Sequence, residues 1–436
     1  MTPSLNRDGI FVDDDGVKRR TILAGAAWSI PVISVVTAAP AFAATTDLKL
    51  AFDKSSYSGE GCKTITGVKV TATRNGVAAA GESVTVTLAD GYTFSDGSTS
   101  YTATTGSDGS ISLPDIKVPG RGGNSTFSAT SGSASTNATV SGKPTGQVYA
   151  SDGSLYGTDQ PNSFTSIQTT GKTVWAMDSD KNVWYVNSYD GKWTKVTNAT
   201  DVTQYSVNGG GATYLKGGKV YNSEGSLYGT DQPGTFSKIQ TDGKTVWAID
   251  SDSTLWSVDS YDGKWSKVTG GTNISAYSLN GGGGNYLKDK KVYSSDGQLY
   301  GKTQPGTFTS IQTDGATVWA VDSDNTVWSV GSYDGTWAKV KNATSVSGYS
   351  VNGGGANFLT ANKVYSGDGE LYGKSQPGTF TSIQTDGKTV WAIDSDKTIW
   401  TVNSYDGTWA KVKNATNVSG FSLDGGGAAF LKPACS

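Results

Sequence analysis

The chain has 436 residues, a net charge of −3, and a high content of glycine (58) and tryptophan (13). Its β-branched and aromatic residues favour strands over helices, and its large aromatic side chains exclude a disordered chain. The charge leaves no basic patch for nucleic acid, so we expect no nucleic-acid partner. There is no histidine and there are only two cysteines, which excludes the commonest general base and a zinc site.

The first 43 residues have the pattern of a secretory signal. Arg19 and Arg20 precede a mostly apolar run that ends in small residues, which is the usual order of basic, apolar and cleavage regions. The arginine pair followed by Ile22 resembles a twin-arginine export signal, which implies a bacterial, exported protein at the cell surface or outside the cell. Cleavage between Ala43 and Ala44 would leave no membrane span, and an uncleaved anchor is the alternative.

Residues 44–142 are predicted to form a β-sandwich. Short runs such as Leu48–Phe52 and Ser83–Leu88 alternate in polarity, and Asn-Gly or Asp-Gly turns separate them. About seven such strands are typical of two packed sheets. Residues 143–146 then resemble a linker to a second domain, residues 147–436.

The sandwich region also resembles a known kind of domain. A Val-x-Val-x-Leu strand follows Gly81, and the turn Ser107-Asp108-Gly109 comes before a final Phe-Ser-Ala-Thr-Ser-Gly. These motifs resemble the bacterial Ig-like domains of invasin-type surface proteins. That resemblance implies a stalk or spacer.

The rest of the chain is a tandem repeat. Tryptophans recur in three series with a spacing of 72 residues and no insertion between the copies. The series are Trp175, Trp247, Trp319 and Trp391; Trp184, Trp256, Trp328 and Trp400; and Trp193, Trp265, Trp337 and Trp409. A weaker internal similarity divides each copy into a longer and a shorter module, so four copies contain eight modules.

Each module contains four strand candidates. Those of the last longer module lie around Trp391, Trp400, Trp409–Val412 and Val418–Leu423, and those of the last shorter module around Phe358, Tyr365, Leu371–Tyr372 and Phe380–Ile383. Four short strands repeated radially are typical of a propeller blade. We therefore predict an all-β chain in which the sandwich is followed by eight four-stranded blades. The segment Gly427–Lys432 is expected to supply the strand missing before Gln147 and to close the ring.

The longer modules resemble a known repeat family. The pattern V-W-A-x-D-S-D-x-x-x-W followed by Y-D-G-x-W-x-K-V occurs at Val174–Val196, Val246–Val268, Val318–Val340 and Val390–Val412. It resembles the tectonin repeats of tachylectin-like and fish-egg lectins. The resemblance implies a lectin-like propeller that binds sugars, and its weakness in the shorter modules leaves open whether all blades bind alike.

Four Ser-Tyr-Asp-Gly turns are the first candidate binding sites. An aromatic ring can stack on a sugar while the adjacent carboxylate accepts hydrogen bonds from its hydroxyl groups. The alternative is an ordinary Asp-Gly hairpin whose tyrosine packs on the next blade. The candidate residues are Tyr189, Asp190, Tyr261, Asp262, Tyr333, Asp334, Tyr405 and Asp406.

Four Asp-Ser-Asp turns are weaker candidates. Their paired carboxylates suit a Ca²⁺ site or an acid/base pair, and a solvated turn is the alternative. The residues are Asp178, Asp180, Asp250, Asp252, Asp322, Asp324, Asp394 and Asp396. Four identical copies argue against catalysis, and we expect no enzyme and no cofactor other than Ca²⁺. The glycine runs, such as Gly209–Gly211, are expected to be tight turns between blades, because they lack the lysine and serine of a phosphate loop.

Cys62 and Cys435 would occupy an oxidising compartment after export. A disulfide between them would fasten the sandwich to the closure of the ring; a partner chain or two free thiols are the alternatives. We expect a monomer that binds a cell-envelope or host glycan. The alternative function is that of a structural or adhesive surface protein with a protein partner.

Overall fold

The computed structural model describes residues 48–435. The predicted export signal, with Arg19, Arg20, Ala43 and Ala44, lies outside the described residues. The regular elements of the described part are all β-strands. None of it forms a helix that could cross a membrane.

Twelve strands precede the repeats. They are β1 (Leu48–Phe52), β2 (Ser56–Glu60), β3 (Thr64–Ile65), β4 (Lys69–Arg74), β5 (Val77–Ala78), β6 (Ser83–Thr87), β7 (Thr93–Phe94), β8 (Ser100–Thr104), β9 (Ser110–Ser112), β10 (Ile116–Lys117), β11 (Gly123–Ser131) and β12 (Ala134–Lys143).

These strands form two main sheets around one apolar core. One sheet has the order β1-β4-β5 with β9 on β4, the other the order β2-β12-β11-β6-β8, and β3, β10 and β7 form a small third sheet. Val70 and Ala72 of the first sheet meet Val84, Val86 and Phe127 of the second in the same cluster. Because alternate side chains point to one face of a strand, the polar–apolar alternation produces this packing. The Ig-like assignment stays a prediction.

The repeats contain twenty-eight strands. The first fourteen are β13 (Gln147–Ala150), β14 (Phe164–Thr170), β15 (Thr173–Asp178), β16 (Val183–Val186), β17 (Thr194–Lys195), β18 (Gln204–Asn208), β19 (Gly211–Lys216), β20 (Lys219–Asn222), β21 (Phe236–Thr241), β22 (Val246–Asp250), β23 (Leu255–Val258), β24 (Ser266–Lys267), β25 (Ala276–Asn280) and β26 (Gly283–Lys288). The others are β27 (Lys291–Ser294), β28 (Phe308–Thr313), β29 (Val318–Asp322), β30 (Val327–Val330), β31 (Ala338–Lys339), β32 (Gly348–Asn352), β33 (Gly355–Thr360), β34 (Lys363–Ser366), β35 (Phe380–Thr385), β36 (Val390–Asp394), β37 (Ile399–Val402), β38 (Ala410–Lys411), β39 (Gly420–Asp424) and β40 (Gly427–Lys432).

The twenty-eight strands form eight antiparallel sheets in a closed ring. Four-stranded sheets (β14–β17, β21–β24, β28–β31 and β35–β38) alternate with three-stranded sheets (β18–β20, β25–β27, β32–β34 and β39-β40-β13). The first strand of each sheet contacts the first strand of the next, and β39 of the last sheet contacts β14 of the first. The ring is therefore an eight-bladed propeller, and the prediction of eight blades of two alternating kinds is confirmed.

The ring closes as the sequence predicted. Gly427–Lys432 pairs with Gln147–Ala150, and Val148 lies opposite Leu431. The chain end contributes a second strand to the same blade, because Gly420–Asp424 pairs with Gly427–Lys432. Two of the three strands of the closing blade thus come from the C-terminal end, which leaves the ring without an open edge.

The predicted blade boundaries are wrong by one strand. The fourth candidate of the shorter module lies in Phe380–Thr385, which pairs with Val390–Asp394 and starts the next blade. The third candidate, Leu371–Tyr372, is reduced to a single bridge between Tyr365 and Leu371. The turn between β35 and β36 is short, and Asp386 accepts a hydrogen bond from the Thr389 amide within it. That hairpin pairs β35 with β36. The polar–apolar pattern of β35 does not reveal this pairing, because a short apolar strand has the same pattern whether its neighbour in sequence is hydrogen-bonded to it or lies in the adjacent blade.

The glycine runs were also placed wrongly. Gly209 and Gly210 have φ values of 55° and 82° and connect β18 to β19 inside one blade, not two blades. Positive φ at two successive residues is what a tight hairpin of this kind requires.

Every blade is packed against both neighbours by apolar side chains. In β22, Val246 and Ala248 contact the preceding blade, while Trp247 and Ile249 contact the following one. Both faces of the strand are buried, so its sequence is apolar throughout, as in strands covered on two sides. Trp265, which is 2% exposed, fills the preceding interface, where its ring lies 4.6 Å from that of Phe236.

The sandwich and the closing blade are joined by a disulfide between Cys62 and Cys435. The predicted linker is hydrogen-bonded to loops of the sandwich. The Gly61 amide donates to the Lys143 carbonyl at 2.7 Å, and the Thr145 amide donates to the Gly120 carbonyl at 2.7 Å. Lys143 itself is the last residue of β12.

A ring of side chains encircles the axis of the propeller. The Asn208 amide donates to Asn280 at 2.9 Å, Asn280 to Asn352 at 3.2 Å, and Asn352 to the carboxylate of Asp424 at 2.7 Å. These four residues occupy equivalent positions in the four repeats. The ring of hydrogen bonds is interrupted between Asp424 and Asn208, because an ionised carboxylate has no hydrogen to donate. Burial raises the pKa of the Asp424 carboxyl.

Replacing both Cys62 and Cys435 by serine should lower the free energy of unfolding by about 2–5 kcal/mol, because a cross-link restricts the unfolded chain. Denaturant unfolding of the wild type with and without reductant, beside the double variant, measures this loss. A non-reduced wild-type protein whose mass corresponds to two free thiols would contradict the pairing.

Asp424→Asn should stabilise the protein at pH 7 by about 0.5–1.5 kcal/mol, since the new amide can donate to Asn208. A raised pKa means that the stability associated with the protonated Asp424 is present at low pH and is lost as the pH rises through that pKa. The gain of the variant over the wild type should therefore shrink between pH 7 and pH 3. Thermal unfolding of both proteins at the two pH values tests this, and an equal difference at both would refute it.

Candidate functional site

Four equivalent clefts open at the rim of the propeller, each between a three-stranded blade and the four-stranded blade that follows it. Each contains an exposed leucine and an exposed tyrosine with its adjacent aspartate. We call them cleft 1 (Leu155, Tyr189, Asp190), cleft 2 (Leu227, Tyr261, Asp262), cleft 3 (Leu299, Tyr333, Asp334) and cleft 4 (Leu371, Tyr405, Asp406).

Two loops form the walls of each cleft. In cleft 2 the first loop runs from β20 to β21 and contains Leu227, and the second joins β23 to β24 and contains Tyr261. They are hydrogen-bonded to each other, since the Gly229 amide donates to the Tyr261 carbonyl at 2.7 Å and the Thr230 amide to the Gly263 carbonyl at 2.8 Å. The predicted Tyr-Asp turn is thus one half of a two-loop site.

Buried polar contacts hold the first loop in place. The side chain of Gln232 accepts a hydrogen bond from the Val220 amide at 2.7 Å and donates to the Tyr228 carbonyl at 2.9 Å. The indole of Trp265 donates to the same Tyr228 carbonyl at 2.7 Å. The wall of the cleft is therefore anchored to the core between the blades.

The tyrosine of each turn is both packed and available. The ring of Tyr261 meets that of Tyr228 edge to face at 5.9 Å, yet 49% of its surface is exposed. The tyrosine thus packs on a neighbouring ring, as expected for an ordinary hairpin turn, and also exposes part of its surface, as a binding site requires. In cleft 4, partial burial raises the pKa of the Tyr405 hydroxyl, and nearby carboxylates, Asp368 first, raise it further. The hydroxyl is therefore a neutral donor at physiological pH.

The aspartate of each turn retains capacity to accept hydrogen bonds. Asp190 and Asp262 each accept one, from the hydroxyls of Ser188 and Ser260 at 2.9 Å. A carboxylate can accept about four. Its exposed oxygens therefore lie beside the tyrosine ring and can bind hydroxyl groups of a ligand.

Clefts 2 and 4 are open depressions of about 580 and 550 Å³. Cleft 2 is lined by Lys219, Leu227, Asp231, Gln232, Tyr261 and Asp262. Cleft 4 is lined by Lys363, Leu371, Lys374, Gln376, Tyr405 and Asp406. Their volumes are those of small-molecule sites, about 300–1,000 Å³.

Cleft 1 departs from the other three. Gln147 stands where the equivalent position of cleft 2 has Lys219. The hydroxyl of Tyr189 forms a short hydrogen bond with Ser154 and a longer one, 3.4 Å, with Asp152. Hydrogen bonds from Ser154 lower the pKa of the Asp152 carboxyl. A ligand would have to displace these contacts to use the Tyr189 hydroxyl.

Sequence reasoning missed the leucines and lysines of the clefts. The Leu-Tyr-Gly segments that begin at Leu155, Leu227, Leu299 and Leu371 repeat with the same spacing as the tryptophans, but they resembled one more buried strand. The polar residues on both sides of each Leu-Tyr-Gly segment could have indicated an exposed loop, because a buried strand would contain more apolar residues.

The Asp-Ser-Asp turns have a structural role. Asp250 is 7% exposed; one of its oxygens accepts from the Asp252 and Thr254 amides, and the other accepts from the indole of Trp256 at 2.8 Å. The first aspartate of all four turns is buried in this way, while the second is exposed. The first is thus not part of a solvated turn.

The geometry of these turns provides too few free oxygen ligands for a Ca²⁺ site. The first carboxylate is occupied by amide and indole donors, so each turn has only the second aspartate for a cation that needs about six to eight oxygens. Across residues 48–435 no three acidic or cysteine side chains are grouped closely enough to hold a metal.

No protein-family model and no curated protein matches the chain. Solved structures resemble it in part. A computationally designed protein, Ika8, is 13% identical with a TM-score of 0.47, and the match covers 62% of this chain and 96% of that one. Prp20p from Saccharomyces cerevisiae is 9% identical (TM-score 0.44; 67% and 92% covered), as is apo AztD from Citrobacter koseri (0.41; 77% and 96%). Likenesses this distant carry no argument about function, and the propeller rests on the strand pairing described above.

Asp250→Ala should lower the free energy of unfolding by about 1–3 kcal/mol, because it leaves buried amide and indole donors without an acceptor. Denaturant unfolding measures the loss, and Asp252→Ala, which removes the exposed neighbour in the same turn, is the matched control. Equal losses in the two variants would contradict the structural role of the first aspartate.

Proposed function

We propose that the protein is an exported, non-catalytic, lectin-like protein that binds carbohydrate of a cell envelope or host surface in the four rim clefts. The observation that supports this proposal most directly is the distribution of exposed apolar side chains. Of the nine large apolar residues that are exposed in the described chain, eight are the leucines and tyrosines of the clefts, and the ninth is Val77 of the sandwich. Exposed apolar groups concentrated in repeated clefts indicate binding sites.

The chemistry of the clefts suits a sugar ring. One face of a pyranose carries C–H groups that can lie on Tyr261 and Leu227, while its hydroxyls can donate to Asp262. The clefts are open at the rim, so a terminal residue of a long glycan could enter without unthreading. Four clefts on one rigid ring would add avidity on a surface that carries many copies of the ligand.

Two further observations support export and the absence of catalysis. The disulfide between Cys62 and Cys435 is typical of an oxidising compartment outside the cytoplasm. The chain has no histidine, and the carboxylates of the clefts recur in every repeat, whereas a catalytic site needs to occur only once.

The competing function is adhesion to a surface protein. An open cleft with leucine and tyrosine could also hold side chains of a protein partner. The sandwich would serve as a spacer whether the propeller binds carbohydrate or protein. The two functions differ in whether free sugar competes for binding.

A variant with Asp190, Asp262, Asp334 and Asp406 all changed to asparagine should lose most glycan binding while keeping the shape of the clefts. Removing a charged acceptor costs about 1.5–3 kcal/mol per site, which corresponds to roughly a ten- to hundredfold loss of affinity. The full chain and this variant are compared on a glycan array, and hits are titrated by calorimetry.

Val77→Ser is the matched control, because it removes the one exposed large apolar side chain that lies outside the clefts. It should bind as the wild type does. Binding of the wild type to a surface protein that no sugar competes with, together with an empty glycan array, would replace the lectin proposal by the adhesive one.

A further inference from the structure

Clefts 1 and 2 differ in charge from clefts 3 and 4 at three positions. In clefts 1 and 2 an aspartate and a lysine face each other across the two loops: Asp159 and Lys192 at 3.0 Å, and Asp231 and Lys264 at 3.0 Å. In clefts 3 and 4 both partners are replaced by hydroxyl residues, and a lysine replaces the threonine that precedes the aspartate. The replacing residues are Lys302, Thr303 and Thr336 in cleft 3, and Lys374, Ser375 and Thr408 in cleft 4.

The backbone is unchanged by this exchange. The Thr230 amide donates to the Gly263 carbonyl at 2.8 Å in cleft 2, and the equivalent Lys374 amide donates to the Gly407 carbonyl at 2.7 Å in cleft 4. The φ value is 58° at Asp231 and 59° at Ser375. Only the side chains that line the clefts differ.

Cleft 4 therefore has one more positive charge than cleft 2, where the Asp231–Lys264 pair is neutral. Cleft 2 is lined by one lysine, Lys219, and by Asp231 and Asp262. Cleft 4 is lined by two lysines, Lys363 and Lys374, and by the single carboxylate of Asp406. Lys264 neutralises Asp231 in cleft 2, and both side chains of this pair are exposed.

The extra lysines are available to a ligand. Lys302 and Lys374 are exposed, and no carboxylate within residues 48–435 forms an ion pair with either. Two further acidic groups lie near cleft 4: Glu370 pairs with Lys341 at 2.5 Å, and Asp368 accepts a hydrogen bond from Ser366 and keeps its negative charge. An anionic group entering the cleft would thus meet two ammonium groups, those of Lys363 and Lys374, that form no ion pair within residues 48–435.

We infer that clefts 3 and 4 bind a saccharide that carries a carboxylate, such as a uronic or sialic acid, whereas clefts 1 and 2 bind a neutral one. The inference rests on the proposed carbohydrate binding. The tyrosine, leucine and aspartate common to the clefts contact the sugar ring, and the lysine at position 302 or 374 contacts its carboxylate. A single chain would then recognise two kinds of sugar on one surface.

The chain offers its own control, because each kind of cleft can be converted into the other with residues that already occur at equivalent positions. A neutral-type variant carries Lys302→Thr, Thr303→Asp, Thr336→Lys, Lys374→Thr, Ser375→Asp and Thr408→Lys. An acidic-type variant carries Gln147→Lys, Thr158→Lys, Asp159→Thr, Lys192→Thr, Thr230→Lys, Asp231→Thr and Lys264→Thr. Both should fold, since every substituted residue already occurs at the equivalent position of another repeat.

The probes are glycan pairs that differ only in a terminal carboxylated sugar, lactose and sialyllactose being the first pair, titrated calorimetrically into the full chain. We expect two sites for the carboxylated probe in the wild type, none in the neutral-type variant and four in the acidic-type variant. Each of these sites should prefer the carboxylated probe by at least about tenfold, the effect of one charge-assisted contact, and the preference should fall with added salt.

The outcomes separate the two proposals. If neutral and carboxylated glycans bind equally in all three proteins, the charge inference is overturned while carbohydrate binding stands. If no glycan of either kind binds any of the three proteins, the proposed function fails and this inference fails with it.

Discussion

One buried hydrogen bond, repeated four times, connects the core of the propeller to its rim. The indole N–H of Trp193, Trp265, Trp337 or Trp409 donates to a tyrosine carbonyl at 2.7 Å in every repeat. The indole ring fills the interface between two blades, and the carbonyl belongs to the loop that forms one wall of a cleft. The position of the cleft thus depends on the same side chain that packs the blades together, which makes the site rigid without contacts from the ligand.

This arrangement lets the rim vary while the scaffold stays constant. The residues that line the interfaces, such as Phe236 and Trp265, are buried on all sides, and a change of volume there would be felt by both blades. The cleft residues contact solvent on one side, so Asp231 and Ser375 can occupy equivalent positions on the same backbone. Charge can therefore differ between the clefts without a change in the backbone that carries it.

Much of the fold followed from spacing alone, and the errors have a common origin. The regular recurrence of Trp247 and its equivalents predicted the repeat, the alternating modules and the closure by Gly427–Lys432. The sequence did not reveal that Phe380–Thr385 starts a blade, because a short apolar strand has the same pattern whether its neighbour is bonded to it or stacked on it. Only one wall of each cleft was predicted: Tyr261 and Asp262 were recognised in their turn, whereas Lys219 begins β20 and Leu227 lies in the loop that follows this strand.

The sequence by itself determined the repeat, the strand content and the number of blades, because these depend on periodicities that are local to the chain. Only the tertiary structure decided which aspartates are buried and which are free. Asp250 and Asp252 stand in the same turn, but one is covered by Trp256 and the other faces water. It also decided that the tyrosine of each cleft lies beside the leucine and that lysines line only some of the clefts. These residues come from separate segments of the chain, which the packing of adjacent blades brings together.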